Sequence, residues 1–429
     1  MKHAAIRELS AVALAAQLQQ RTLSAESVLV AFQERIAERE PEVHAWTALA
    51  GDAALQRARE LDRGPIIGPL HGLPIGVKDL FDTVDMPTSY GSPIYTGHRP
   101  TADAATVALA RAAGAVVLGK TVTTEFATYQ PGPSRNPHHL DHTPGGSSSG
   151  SAAAVADRMT PLAFGSQTAA SIIRPASFCG VVGYKPSFGR LTRAGVKSLG
   201  ESLDTIGGFG TTVADVGLLV GALSGDASLM QLPVLDRAPR IGLFHTEWEQ
   251  TQPETRAAMV LAHKTLSRVG GRVGEVKVPD SCLTMGQIHV DVMAYEAARA
   301  LAFELGSHRD RLSPGLAQML DIGTKMSHAH YRMQKEAAER ARQDVEALFE
   351  DYDLLLAPSA AGVAPLAVSG TGDPLFCRIW SLLGLPCVHL PFAQGPHGLP
   401  VGLQVVAPFD QDTRCLAMAT WVHAQLLAA

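Results

Sequence analysis

"TADAATVALARAAGAVVLGKT", residues 101–121, decides the fold class. An alanine-rich run with helix propensity begins at about Ala102 and is halted near Gly114. "AVVLG" follows at once, a short apolar run suited to a buried strand. Helix, glycine, strand is the grammar of layered α/β proteins. Upstream, "GPLHGLPIGVKDLFD" (Gly68–Asp82) sets Gly and Pro around the apolar run Leu73 to Val77, which predicts a strand ending at Lys78. Further back, "SAESVLVAFQERIAERE" opens with Ser24 as an N-cap and repeats Val28, Phe32 and Ile36 at four-residue spacing. The first fifty residues read as helices.

Downstream, the stretch from Arg240 to Pro279 repeats strand, helix, strand, and residues 286–350 read as charged helices. The last eighty residues return to strands ("DLLLAPS", "PCVHLPF", "VGLQVVAP") and a closing helix. No internal repeat, low-complexity tail or linker interrupts the pattern. The expectation is one domain over residues 1–429. Its parts are a helical portion (about 1–65), a core (about 66–235), an α/β and helical portion (about 236–350) and C-terminal strands with a helix (about 351–429). The expected architecture is a three-layer α/β/α sandwich around a large mixed, mostly parallel β-sheet.

Composition narrows the function classes. Hydrophobic residues make up 46% and charged residues 18%, enough to bury a large core. With 36 Lys plus Arg against 41 Asp plus Glu, the net charge of −5 argues against a nucleic-acid or anionic-membrane surface. Five cysteines (Cys179, Cys282, Cys377, Cys387, Cys415) in no metal-like spacing suit a reduced, cytoplasmic protein. "MKHAAIRELSAVALAAQLQQ" is broken by Glu8, Gln17, Gln19 and Gln20 and does not form a signal-peptide core, and no segment approaches a membrane span.

The chemistry concentrates in "HTPGGSSSGSAAAVADRMTPLAFGSQTAASIIRP", His142–Pro175. It carries serines at 147, 148, 149, 151, 166 and 171 among glycine and alanine. A Gly-rich loop before a helix can cradle phosphate, but this one lacks the Gly-Lys-Ser/Thr ending of a P-loop and the dinucleotide spacing. The neighbouring "NPHHLDH" run (Asn136–His142) offers histidines (His138, His139, His142) as metal ligands or as a base; a surface loop is the plainer reading. A lysine is the other base, since Ser–Lys pairs are an established variant of nucleophilic catalysis. Lys78, Lys120 and Lys185 all sit in Gly-flanked apolar runs. Composition does not choose among them.

"GLPIGVKDLFD", "LGKTVTTEFA", "TPGGSSSGSAAAVA" and "GSQTAASIIRPASFCGVVGYKPSFGRL" together resemble the consecutive blocks of the amidase signature family. "LLGLPCVHLP" and "GLPVGLQVVAP" resemble its closing blocks. The resemblance is densest from 68 to 210 and thinnest from 240 to 350. It implies a Ser-Ser-Lys triad: Lys78 as base, Ser147 as bridging serine held through a cis peptide, and Ser171 as nucleophile twenty-four residues on. The backbone N–H groups of Thr168, Ala169 and Ala170 are then the expected oxyanion hole. Ser148 matches a position that supports the lysine by hydrogen bonding, with a helix N-cap as its alternative. Ser149, Ser151 and Ser166 match no catalytic position. Arg174, Ser148 and Gln167 are the expected substrate-binding residues, and Tyr129, Gln130, Tyr331 and Trp380 are further candidates to line the pocket.

One departure is visible. Most members of that family carry Gly-Gly before the nucleophile, whereas "TAAS" places Ala169 and Ala170 there, which predicts a narrower oxyanion pocket or a restricted backbone. "SIIRP" and "LGKTVTTEFA" resemble the malonamidase-like branch, in which the arginine matching Arg174 holds a substrate carboxylate; a structural arginine tying down loops is the alternative. The expectation is an amidohydrolase cleaving a small amide without metal or cofactor, as a homodimer. A member of an amide-transferring complex and a non-catalytic binding protein are the rivals.

Overall fold

The structure, a computed structural model, describes residues 2–428. Eleven strands among the described residues form one sheet. They are β1 (Trp46–Leu49), β2 (Pro74–Lys78), β3 (Val116–Thr121), β4 (Leu162–Gln167), β5 (Val182–Lys185) and β6 (Thr205–Gly210). The chain continues with β7 (Arg240–Leu243), β8 (Arg272–Glu275), β9 (Leu354–Pro358), β10 (Cys387–Gln394) and β11 (Pro400–Val406). The spatial order is β1-β3-β2-β4-β6-β5-β10-β11-β9-β7-β8. Strands β2, β4, β6 and β9 are buried along their whole length, so helices cover both faces and the molecule is an α/β sandwich of three layers.

The sheet is mixed, but the expected parallel majority is wrong: six of the ten pairings are antiparallel. The apolar runs were legible as buried strands, yet nothing in a run of Val, Ile and Leu records its partner's direction. The antiparallel pairs come mostly from β4–β6–β5–β10–β11–β9, of which only β10 and β11 are joined by a short hairpin connection. The all-helical reading of the first fifty residues also fails at its end, where Trp46–Leu49 pairs with β3 as an edge strand.

Local signals elsewhere behave as their chemistry dictates. Ser24 Oγ accepts from Ser27 N at 3.1 Å and starts the helix Ala25–Val43. The helix Ala105–Ala112 ends before Gly114, which takes φ +96° and turns the chain into β3. A helix absent from the sequence reading, Ile173–Cys179, follows the second serine block. β2 and β4 are adjacent and parallel, so their C-terminal ends meet at the same edge. The helix Ser149–Ala156 is pressed against that region through Gly150, where a Cβ would lie 2.1 Å from the Ala45 carbonyl oxygen. No other residue fits there.

Candidate active site

The edge where β2 and β4 end selects among the three lysines. Lys78, the last residue of β2, is fully buried, with Nζ 2.7 Å from Ser147 Oγ and 2.8 Å from Ser166 Oγ. Lys120 instead pairs with buried Asp79 at 3.0 Å and donates to the Phe81 carbonyl and Thr88 Oγ1, anchoring the loop after β2. Lys185 donates to the Pro186 carbonyl at 3.0 Å. Only Lys78 among them meets serine hydroxyls.

Burial holds the Lys78 amine well below the ordinary lysine pKa, and the charge of Asp204 opposes that shift. Desolvation wins because no carboxylate touches Nζ, so the neutral amine, a proton acceptor, is the favoured form. Ser147 reaches the amine from a sharp turn. Gly145 takes φ +82° and packs against Pro175, leaving no room for a side chain, and the Gly146–Ser147 peptide is cis.

The remaining serines divide. Ser166 had no expected part, yet its hydroxyl touches Lys78; the signal was its place at the inward end of β4, which the block pattern does not mark. Ser148, expected to support the lysine, lies at the N-cap of the helix Ser149–Ala156 without a side-chain cap bond and is 3.4 Å from both the N and O of Ser166. It therefore braces β4, one step removed from the amine. Ser151 pairs with Thr121 at 2.7 Å.

Ser171 lies in the tight turn between β4 and the helix Ile173–Cys179, 5% exposed, and borders a cavity of about 540 Å³ counting the open mouth. No hydrogen bond joins Ser171 to Ser147 among the described residues. Among the same residues, none accepts from the N–H groups of Thr168, Ala169, Ala170 or Ser171. A buried turn seldom leaves backbone donors unused. Four in succession beside a serine are donors free to meet a developing negative charge.

Ala169 and Ala170 do not take positive φ, so their methyl groups bring no left-handed strain. Ala170 is fully buried in the core, while Ala169 borders the cavity. Only one of the two methyls can narrow the site.

The expected substrate-binding residues fare unevenly. Gln167 is fully buried; its Oε1 accepts from the N–H groups of Ile172 and Ile173, and its Nε2 donates to Ser381 Oγ at 3.0 Å. It shapes the nucleophile turn and does not border the cavity. Arg174 does border the cavity, but its guanidinium donates to the carbonyls of Gly372 and Gly146 and to Thr371 Oγ1, leaving Nε unpartnered. Burial brings its pKa down to about 10. Arg378, which the sequence reading missed, borders the same cavity, and among the described residues its one ion-pair contact is a loose one with exposed Asp373, at 3.7 Å.

Tyr129 is also at the cavity. Trp380 is a core residue against Phe244, Tyr331 binds Glu296 elsewhere, and Gln130 is exposed on the loop. The histidines serve the loops: His138 Nε2 meets the Cys179 carbonyl and His142 Nδ1 the Ala364 carbonyl. Among the described residues, no three His, Cys, Asp or Glu side chains are grouped to hold a metal ion, all five cysteines are buried and unpaired, and no helix is long and apolar enough to cross a membrane.

Comparison with known proteins places this geometry. The sequence model of the Amidase family matches residues 27–416. A glutamyl-tRNA(Gln) amidotransferase subunit from Acidothermus cellulolyticus is 34% identical over 464 aligned residues, covering 94% of this chain and 92% of the relative. The crystal structure of an amidase superposes with a TM-score of 0.89 at 31% identity, covering 97% of this chain and 100% of that one. The peptide amidase from Stenotrophomonas maltophilia gives a TM-score of 0.83 at 28% identity, with 97% of each chain covered. The Acidothermus cellulolyticus relative bears an amidotransferase name, which agrees with the rival reading of the sequence and not with the malonamidase-like branch expected from the motifs.

Proposed function

The chain belongs to the amidase family, and on that premise we propose that it hydrolyses the C–N bond of a small amide through an acyl-enzyme on Ser171. The observation that carries the reading is the buried, carboxylate-free amine of Lys78 at 2.7 Å from Ser147, beside a serine backed by unused backbone donors.

In this reaction Ser171 Oγ attacks the amide carbonyl carbon. Its proton passes to Ser147 Oγ as the Ser147 proton passes to neutral Lys78. The carbonyl oxygen becomes an oxyanion held by the N–H groups of Thr168, Ala169 and Ala170. Collapse breaks the C–N bond, and the leaving nitrogen takes a proton from Ser147, which Lys78 replenishes. Water then attacks the acyl carbon, giving up its proton along the same route, and releases the carboxylic acid and Ser171. Contacts between catalytic hydroxyls tighten only when substrate bridges them, so the unjoined Ser147–Ser171 pair suits the free enzyme.

The substrate class is an amide bearing a carboxylate. Two guanidinium groups, Arg174 and Arg378, border the cavity, and the sole carboxylate within ion-pair distance of either among the described residues is exposed Asp373. Arg378 is the freer of the two and is the better carboxylate partner.

The second reading, favoured by the amidotransferase name of the relatives, is a chain that releases ammonia within a complex. One experiment separates them. The purified chain alone, expected to run as a homodimer on gel filtration, is offered small amides, ureides and dicarboxylic monoamides, and ammonia is measured for wild type and Ser171→Ala. Turnover by the lone chain that vanishes in the variant supports hydrolysis. Turnover of glutamine only when a partner protein is added supports the complex.

A further inference from the structure

We propose that His289 and Ser381, assisted by Asp204, are positioning residues that pre-set the oxyanion hole by clamping the carbonyl side of its peptides. The inference rests on the reading of Ser171 as nucleophile and adds groups that no motif marks. A trans peptide is planar, so its N–H points opposite to its C=O. Whatever holds the Thr168 carbonyl therefore aims the Ala169 N–H, and whatever holds the Ala169 carbonyl aims the Ala170 N–H.

Both carbonyls are held by residues that do not border the cavity. His289 Nε2 donates to the Thr168 carbonyl at 2.9 Å, and Ser381 Oγ donates to the Ala169 carbonyl at 2.7 Å. The two come from the helices Met285–Ala300 and Leu375–Leu382, which pack on each other. Ser381 in turn accepts from Gln167 Nε2, whose Oε1 holds Ile172 and Ile173, so hydrogen bonds enclose the nucleophile turn on both sides. Thr168 is fixed a second time: its Oγ1 donates to Asp204 Oδ1 at 2.6 Å, while Asp204 Oδ2 accepts from Leu199 N, Gly200 N and Ser198 Oγ.

His289 has no other visible task. It is fully buried, and its Nδ1 has no partner among the described residues. Burying an imidazole with one nitrogen unsatisfied costs more than burying leucine in the same place. The Thr168 carbonyl is the contact that a leucine would lose. Burial brings the His289 pKa down to about 4, so the ring stays neutral at working pH with its proton on the nitrogen that donates.

The test uses the full chain and two readouts: the second-order rate at which a fluorophosphonate labels Ser171, and kcat and KM for an amide that wild type turns over. In His289→Leu the labelling rate and kcat should fall together by about tenfold to a hundredfold, less than the loss of an oxyanion donor outright, with KM within about twofold. His289→Gln, which returns an N–H donor near the position of Nε2, should recover most of the loss. Ser381→Ala should repeat the fall, and thermal melts of each variant report the folded fraction. Wild-type labelling in both His289→Leu and Ser381→Ala, or a loss explained by unfolding and not rescued in His289→Gln, overturns the clamp. Failure of wild type itself to label at Ser171 overturns the nucleophile reading, and the clamp with it.

Discussion

Replacing Lys78 by methionine should abolish most activity and change stability by an amount that depends on pH in a defined way. Burial lowers the Lys78 pKa, so the folded chain binds that proton less readily than the unfolded chain, whose lysine titrates near 10.4. From the lowered value up to about 10.4 the unfolded state holds more protons, and wild-type stability rises with pH by about 1.4 kcal/mol per unit. Methionine carries no such proton. The difference between Lys78→Met and wild type should therefore shift against the variant by about 1.4 kcal/mol per pH unit across that window. For 429 residues this is a change in relative Tm of roughly 1.5 °C per unit.

The hydroxyls of Ser147 and Ser166 lose their partner in the variant, at a cost of about 1–3 kcal/mol each. That cost is independent of pH in this range and changes the offset, not the slope. Urea unfolding of both proteins at about pH 7, 8, 9 and 10 gives the slope directly. A difference that stays constant with pH would refute the reasoning, because it would mean that Lys78 is protonated in the folded chain as readily as in the unfolded one. In the same variant kcat/KM should fall by about 10²–10⁴, the range for losing a general base.

Other expectations follow from the same contacts. Ser147→Ala should lower kcat by about 10²–10⁴ with little change in KM, measured by ammonia release. Ser166→Ala removes a partner that holds the charged amine more strongly than the neutral one, by about 1 kcal/mol, so the acid limb of the kcat/KM profile should move about 0.7 unit to lower pH. Arg378→Gln should raise KM for a carboxylate-bearing amide by about 10- to 100-fold and leave its neutral counterpart unchanged, as steady-state kinetics on the pair will show. Arg174→Met should instead lose stability by a few kcal/mol, at about 1–3 per buried carbonyl left without a donor, as seen in the urea midpoint.

What was legible in the sequence was local or repeated within short blocks. The Ser24 cap, the Gly114 stop and the apolar runs of β2 and β3 depend on neighbours a few residues away, and each appears in the structure where the residues put it. The direction of β4 against β6 depends on contacts some forty residues apart, and apolar composition carries no record of it. The same division runs through the site. Lys78, Ser147 and Ser171 were singled out by the resemblance of their blocks to those of the amidase signature family, not by composition or spacing alone. Ser166 shares a block with Ser171 but matches no catalytic position in it, because its contact with Lys78 depends on β4 ending level with β2. Arg378, His289 and Ser381 lie on helices in the second half of the chain, and they reach the site through packing alone. An arginine, a histidine and a serine on amphipathic helices look the same whether they face a cavity, a carbonyl or water.

The most direct test of the account is to catch the acyl group on the chain. The lone protein, mixed with an amide that it turns over and quenched in acid within the first turnovers, should yield on digestion a peptide containing Ser171 that is heavier by the acyl mass. That adduct should be absent in Ser171→Ala and should form far more slowly in Lys78→Met. Ammonia release without any adduct on Ser171, or with the acyl group on another residue, would contradict the assignment of Ser171 as nucleophile.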